Sequence, residues 1–264
     1  MSHNLERVGY MPDVASFLRQ AIGAQREIVV DDSSVLPEVS RMLDDLGCGQ
    51  LGAKIASGGE HSVRLLDEDK VAKIGEPGKP HLIDGFINWI EYGLDILREE
   101  VPAHLPETQL HYVGLGNESA CYVLVMDKVE GKVLAEIGDE ELPLVAGSLL
   151  SILKANETIY SKHGICIDLS AAEELHHPTR PLSIRGIPRI VNPRYTHNLM
   201  ATTNREGQLD GNVMITDPVM QPQDYQPGVL PGRFRHLCYL FKIGTPLMIR
   251  AQCRLLENLE RQEM

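Results

Sequence analysis

The stretch SGGEHSVRLLDEDKVAKI, residues Ser57–Ile74, decides the first half of the fold. It holds two short runs of apolar and β-branched residues, and a turn signal precedes each run. The first turn contains Gly58 and Gly59, and the second is the acidic triplet at 67–69. Glycine and aspartate favour tight turns between short strands. With one more short run before the stretch, the pattern predicts three antiparallel strands over residues 53–55, 62–66 and 70–74.

The pair Gly58 and Gly59 is compatible with either a turn or a ligand site. Glycines let a backbone approach a phosphate closely, and free N–H groups can then surround the phosphate oxygens. A hairpin turn is the more common use of two adjacent glycines. On these residues alone, the turn is the favoured interpretation.

Lys73 lies inside the last of these strands, between Ala72 and Ile74. A charge among buried apolar residues is costly without a partner, so a lysine there needs one. Glu91 follows eighteen residues later, in a segment whose apolar stripe predicts a helix over 82–100, and is a candidate partner. The alternative is that Lys73 faces solvent on an edge strand and that Glu91 lies on a wet helical face.

Two oxygen-bearing side chains mark a predicted hairpin further along the chain. Asn198 stands before a short apolar run, and Asp217 follows the run expected to pair with it. Amide and carboxylate oxygens are hard ligands that suit Mg²⁺, although either residue could instead form an Asx turn. The other predicted elements are strands at 109–114, 120–126, 198–201 and 213–215 and helices at 14–22, 37–46, 142–163 and 234–262.

Composition narrows the class of protein. The chain has 264 residues, 25 of them basic and 37 acidic, with a formal net charge of −12. This acidity argues against a nucleic-acid binder that relies on positive charge. No apolar run is long enough to span a membrane, and the first residues lack the pattern of a signal peptide. Five cysteines without a Cys-x-x-Cys motif suit a reducing compartment. We therefore expect a cytoplasmic protein, while delivery as an effector by a non-classical route stays open.

The order of these motifs resembles the protein kinase-like superfamily, particularly its compact bacterial branch of aminoglycoside phosphotransferase-like and minimal Ser/Thr kinases. The resemblance extends over about residues 51–220. The stretch 57–74 is similar to the family's glycine-rich loop and lysine strand, and CYVLVMDKVEGKVL, Cys121–Leu134, to its central strand, hinge and glycine. The resemblance implies ATP and Mg²⁺ as cofactors. It assigns nucleotide binding to Gly58, Gly59, Ser62, Lys73, Met126 and Val129, orientation of the lysine to Glu91, and Mg²⁺ binding to Asn198 and Asp217.

The catalytic base is where the chain departs from the family pattern. The family has an aspartate five residues before the metal-binding asparagine, whereas Asp168 stands thirty residues before Asn198. In one alignment, a long insertion at 170–197 splits the catalytic loop and Asp168 is the base. In the other, the loop aligns backward from Asn198 and the base position falls on Pro193, which cannot accept a proton. The second alignment implies a pseudokinase.

These observations predict an α+β, bilobal kinase-like fold with a five-stranded antiparallel sheet in its N-terminal lobe. We expect an N-terminal helical extension over 1–50, the N-terminal lobe over 51–127, and a shortened, mostly helical C-terminal lobe over 128–264. The expected function is ATP- and Mg²⁺-dependent phosphoryl transfer to a protein Ser/Thr or a small-molecule hydroxyl, with the acceptor unidentified. The alternative is a pseudokinase or nucleotide-binding scaffold that acts through protein–protein interaction.

Overall fold

The computed structural model describes residues 35–57, 61–116, 118–138, 140–169 and 196–222. These residues form two compact units. The first contains the described residues up to Tyr92 together with Glu107–Lys128. The second contains Gly93–Pro106 and the described residues from Val129 onward. Each unit is built around a sheet of its own.

The first unit contains a five-stranded antiparallel sheet. Its strands are β1 (Leu51–Ser57), β2 (His61–Leu66), β3 (Lys70–Gly75), β4 (Thr108–Gly116) and β5 (Ser119–Asp127). The strand order is β1-β2-β3-β5-β4, so β5 lies between β3 and β4. Its almost wholly apolar sequence predicted this position, because a strand covered on both faces has no polar side to alternate with. Residues 120–126 are all buried.

One face of this sheet is covered by helix α1 (Leu36–Asp45). Val39 and Leu43 are fully buried against a cluster that includes Ala72, Ile74 and Val123. Successive side chains in a strand point to opposite faces, so Lys73 points away from α1. The helix ends as predicted at Gly47, whose positive φ of 65° favours glycine. Helix α1 lies within the range 1–50 that was predicted as an N-terminal extension, and its buried residues are part of the core of the first unit.

Helix α2 (Pro80–Glu100) follows the sheet's third strand, and its residues are divided between the two units after Tyr92. In the first unit, the ring of Phe86 packs against that of Tyr122 with centroids 5.1 Å apart. In the second unit, a Cβ on Gly93 would lie 2.7 Å from Met220 Cγ. The glycine therefore permits a close approach that any larger residue would block.

The second unit is organised around helix α3 (Leu142–His163), which has the predicted bounds. It ends at Gly164 in the left-handed conformation, with φ of 68°. A three-stranded sheet has the order β6-β8-β9, and a separate pair joins β7 to β10. The short strands β6, β7 and β10 were not predicted, because three residues are too few to show a strand period. The bounds are β6 (Gly131–Val133), β7 (Ile165–Ile167), β8 (Leu199–Thr203), β9 (Leu209–Ile215) and β10 (Met220–Pro222).

The expected α+β fold class, with its five-stranded antiparallel sheet, is confirmed. The predicted helices at 14–22 and 234–262 lie outside the described residues. In the part of the chain that the structure describes, no helix is both long and apolar enough to cross a membrane.

Candidate functional site

The glycine-rich turn connects β1 to β2. Ser57 pairs with Ser62 at the ends of the two antiparallel strands. Gly58 and Gly59 lie outside the described residues. Of the three predicted nucleotide-binding residues at this turn, the structure therefore describes only Ser62. Ser62 is the second residue of β2 and is 8% exposed.

Lys73 is one of the few charged side chains in the core of the first unit. It is 8% exposed and lies in β3 between Val63 of β2 and Leu124 of β5. Both neighbouring strands and the alternation of the sheet fix its direction, away from the face that α1 covers. The alternative of an edge-strand lysine facing solvent is therefore excluded.

Glu91 is not buried, whereas Lys73 is. Ile90 and Leu94, on either side of it along α2, are buried, whereas Glu91 is exposed. No ion pair joins Glu91 to Lys73 among the residues that the structure describes. The structure thus does not bring this predicted pair together.

The hinge predicted to contact an adenine follows β5. Met126 is buried near the end of that strand. The N–H of Asp127 donates to the carbonyl of Glu107 at 3.0 Å, and that of Lys128 to the carbonyl of Asp69 at 2.6 Å. Within the described part of the chain, Val129 donates to no other backbone group.

Asp168, Asn198 and Asp217 come from separate segments of the second unit. Asn198 Nδ2 donates to the backbone carbonyl of Asp168 at 2.9 Å, across a sequence separation of 30 residues. The N–H of Thr216, next to Asp217, donates to the carbonyl of Asn198 at 2.9 Å. In addition, Met220 of β10 pairs with Ile167 of β7. Hydrogen bonds to backbone carbonyls and strand pairing therefore connect the segments that contain Asp168, Asn198 and Asp217.

The chemistry of these donors fits a magnesium ion. A backbone carbonyl can only accept, so Asn198 must present its amide nitrogen to Asp168 and keeps Oδ1 for another contact. Asp217 is partly buried, and its Oδ1 is closed to solvent. Among the described residues, this region included, no three His, Cys, Asp or Glu side chains are grouped to hold a metal. Mg²⁺ is commonly held by one or two such protein oxygens, with water and substrate phosphates completing its shell.

Two thiols near or within these elements are poor nucleophiles. Burial raises the pKa of Cys121 to about 12. The pKa of Cys166, two residues before Asp168, is also raised to about 12, first by burial and then by the negative charge of Asp168. The thiolate is the reactive form of cysteine, so neither residue is equipped to act as a nucleophile at neutral pH.

Sequence reasoning missed Asn156, which is 2% exposed on the inner face of α3. Its Oδ1 accepts a hydrogen bond of 2.8 Å from the N–H of Ile167, the residue before Asp168. A signal was present, because Asn156 lies four residues after Ile152 and three before Ile159, within the apolar stripe of the helix. Gly131 is the glycine of the stretch Cys121–Leu134 that the resemblance to the kinase-like family includes. The structure supplies its physical reason, since a Cβ there would collide with the carbonyl oxygen of Ala201.

Comparison with known proteins adds solved structures of low similarity. The GDP complex of wild-type aminoglycoside 2'-phosphotransferase-IIIa is 14% identical, with a TM-score of 0.41, and the match covers 89% of this chain and 100% of that one. The gentamicin complex of APH(2")-IIa is 11% identical, with a TM-score of 0.38 and coverage of 87% and 88%. The bifunctional kinase-methyltransferase WbdD is 14% identical, with a TM-score of 0.32 and coverage of 76% and 43%. No protein-family model and no curated protein matches the chain.

The fold assignment rests on the chain's own topology. Three antiparallel strands, a helix and two further strands form the sheet order β1-β2-β3-β5-β4, and a long helix and a hairpin follow in the second unit. This is the arrangement that the resemblance in the sequence implied. The described residues therefore have the expected α+β topology with a five-stranded antiparallel sheet.

Proposed function

We propose that this protein is an ATP- and Mg²⁺-dependent phosphotransferase, and that Asp168 is its catalytic base. The observation that carries the proposal is the hydrogen bond from the side chain of Asn198 to the backbone of Asp168. It favours the alignment in which an insertion separates the two residues over the alignment that places the base at Pro193. Pro193 lies outside the described residues.

In the proposed reaction, each residue has one role. Lys73 contacts the α- and β-phosphates, the N–H of Val129 contacts the adenine, and Asp168 orients an acceptor hydroxyl. The hydroxyl oxygen forms a bond to the γ-phosphorus while the bond to the bridging oxygen breaks, and the hydroxyl proton passes to the carboxylate of Asp168. Asn198 Oδ1 and Asp217 would hold Mg²⁺, which when bound neutralises charge on the phosphates. Most of the rate enhancement would come from positioning and fixed charges.

The acceptor is proposed as a hydroxyl of a protein Ser/Thr or of a small molecule. The similar solved structures include complexes with GDP and with the aminoglycoside gentamicin. A formal net charge of −12 is compatible with a cationic acceptor. Charge alone does not choose between a small molecule and a basic protein.

One observation favours the second candidate function, a pseudokinase. Active protein kinases need an ion pair between the strand lysine and a helix glutamate, and Glu91 is exposed rather than paired with Lys73. Without an ion pair between Glu91 and Lys73, the protein would bind nucleotide without efficient transfer and act through partners.

The test combines binding with turnover. Thermal unfolding is measured with ATP and with GTP, each with Mg²⁺ and with EDTA, and ATP hydrolysis is then followed in the absence of an acceptor. A Mg²⁺-dependent rise in the unfolding midpoint together with turnover supports the phosphotransferase. A rise without turnover supports the pseudokinase. If there is neither a rise nor turnover, both functions are excluded.

A further inference from the structure

We infer that Asn156 is a positioning residue for Asp168, a role that rests on the proposed function. Two side-chain amides bind the backbone next to Asp168, one on each side of its α-carbon. On the N-terminal side, Asn156 Oδ1 accepts from the N–H of Ile167 at 2.8 Å. On the C-terminal side, Asn198 Nδ2 donates to the carbonyl of Asp168 at 2.9 Å.

The burial of Asn156 argues that this bond has a purpose. The side chain is 2% exposed, among residues of α3 that are apolar and fully buried. A buried amide group is unfavourable unless it is hydrogen-bonded. Asparagine is also a weaker helix former than leucine. An apolar residue would therefore suit the helix better, and what asparagine adds at this position is an acceptor for the N–H of Ile167.

The strand directly before Asp168 offers a place for such an acceptor. Strand β7 has only three residues, and β10 is its one partner strand among the described residues. A strand with one partner leaves the backbone groups of its other edge without ladder bonds. Asn156 supplies one of these bonds from α3, directly before Asp168. It thereby fixes β7 against α3.

The consequence concerns rate rather than nucleotide affinity. Asp168 acts on the acceptor hydroxyl, whereas Lys73, Val129 and Asp217 contact the nucleotide or its metal. Loss of the bond from Asn156 would let the Asp168 segment shift, and a misplacement of about 1 Å can cost a catalytic group about a hundredfold in rate. We therefore expect a fall in kcat with little change in the KM for ATP.

The experiment compares Asn156→Leu with Asn156→Asp and with the matched control Ser148→Ala. Leucine has the same branched arrangement of side-chain heavy atoms as asparagine, with a larger volume, but lacks the acceptor, and aspartate restores an acceptor oxygen at the same place. Ser148 also lies on α3, and its Oγ accepts from the N–H of Val213 at 2.8 Å. It thus holds another strand by the same kind of bond, away from Asp168. Each variant is measured for thermal unfolding, for kcat and KM of ATP hydrolysis, and for amide exchange at Ile167.

We expect Asn156→Leu to lower kcat by about tenfold or more, to leave KM within about twofold, and to speed amide exchange at Ile167. Asn156→Asp should recover part of the lost kcat. Ser148→Ala should lower the unfolding midpoint about as much while kcat stays near that of the unmodified protein. Unchanged kcat in Asn156→Leu, or an equal fall in kcat in Ser148→Ala, would overturn the inference. Absence of both turnover and nucleotide stabilisation in the unmodified protein would instead refute the proposed function, and the role of Asn156 with it.

Discussion

The two compact units position their candidate site residues in different ways. In the first unit, Lys73 is placed by one strand, since β3 has a regular register with both neighbours and alternation decides which face the side chain takes. In the second unit, Asp168, Asn198 and Asp217 lie in or beside short segments far apart in the chain. Hydrogen bonds from side chains to backbone hold these segments together.

This difference determines how each half should respond to mutation. A residue on a central strand is held by many ladder bonds, so only a change to the side chain itself affects its role. A residue held by two or three hydrogen bonds can be displaced by changes in its supports, as proposed for Asn156. The following predictions test this contrast, beginning with the largest expected effect.

Asp217→Ala should abolish most of the ATP turnover, by about 10²–10³-fold, because it removes a fixed charge at the phosphates. The measurement is the rate of ATP hydrolysis at saturating ATP across a range of Mg²⁺ concentrations. Asp210→Asn is the matched control, since Asp210 lies on β9 of the same hairpin but is exposed and accepts a hydrogen bond from Thr202. Equal activity of the Asp217→Ala variant and the unmodified protein would remove Asp217 from the site.

Lys73→Met should lower turnover by about 10²-fold, since it removes a positive charge that faces the transferring phosphates. Because β3 keeps its register with both neighbouring strands, the variant should stay folded, and the unfolding midpoint without nucleotide measures any effect on stability. Turnover and thermal unfolding measured on one preparation separate the two effects. Lys70→Met is the control, because Lys70 begins the same strand on the opposite face.

The turnover of the Glu91→Gln variant should be compared with that of Lys73→Met. With Glu91 exposed and unpaired with Lys73 among the described residues, its substitution should change turnover far less than Lys73→Met does. A loss as large as that of Lys73→Met would show that the pair forms when nucleotide binds, and would favour the active kinase over the pseudokinase.

The smallest expected effect is a pH dependence of stability in the first unit. His111 lies on β4 on the same face as buried Val113, and its Nε2 is buried without a hydrogen-bond partner among the described residues. Burial lowers the pKa of His111 below its ordinary value of 6.5. The unfolded chain therefore takes up a proton first as the pH falls, and stability is lost below about pH 6.5 until the folded protein is protonated as well.

The His111→Leu variant should show a shallower fall in unfolding midpoint between neutral and mildly acidic pH than the unmodified protein. Thermal unfolding across this range measures the slope, and His81→Gln, a change at an exposed histidine of α2, is the control. Identical slopes in the unmodified protein and His111→Leu would show that His111 does not contribute to the pH dependence.

Much of the fold could be predicted from the sequence, because its long elements have strong periods. The bounds of α3 were predicted to the residue, and the central position of β5 followed from its apolar run. The strands β6, β7 and β10 were not predicted, since three residues carry no period. The sequence left two alternatives for Glu91, a partner for Lys73 or a solvent-facing position, and the structure shows Glu91 exposed on α2.

By itself, the sequence determined the long elements of the first unit and their order, whereas it left open whether Lys73 faces the core or solvent. These elements depend on interactions between residues near in sequence, on strand alternation and on turn-forming residues such as Gly47. Only the tertiary structure decided that Asp168 lies beside Asn198, and that Asn156 supports the strand before it. The physical reason is that a hydrogen bond across 30 residues leaves no periodic trace in the chain.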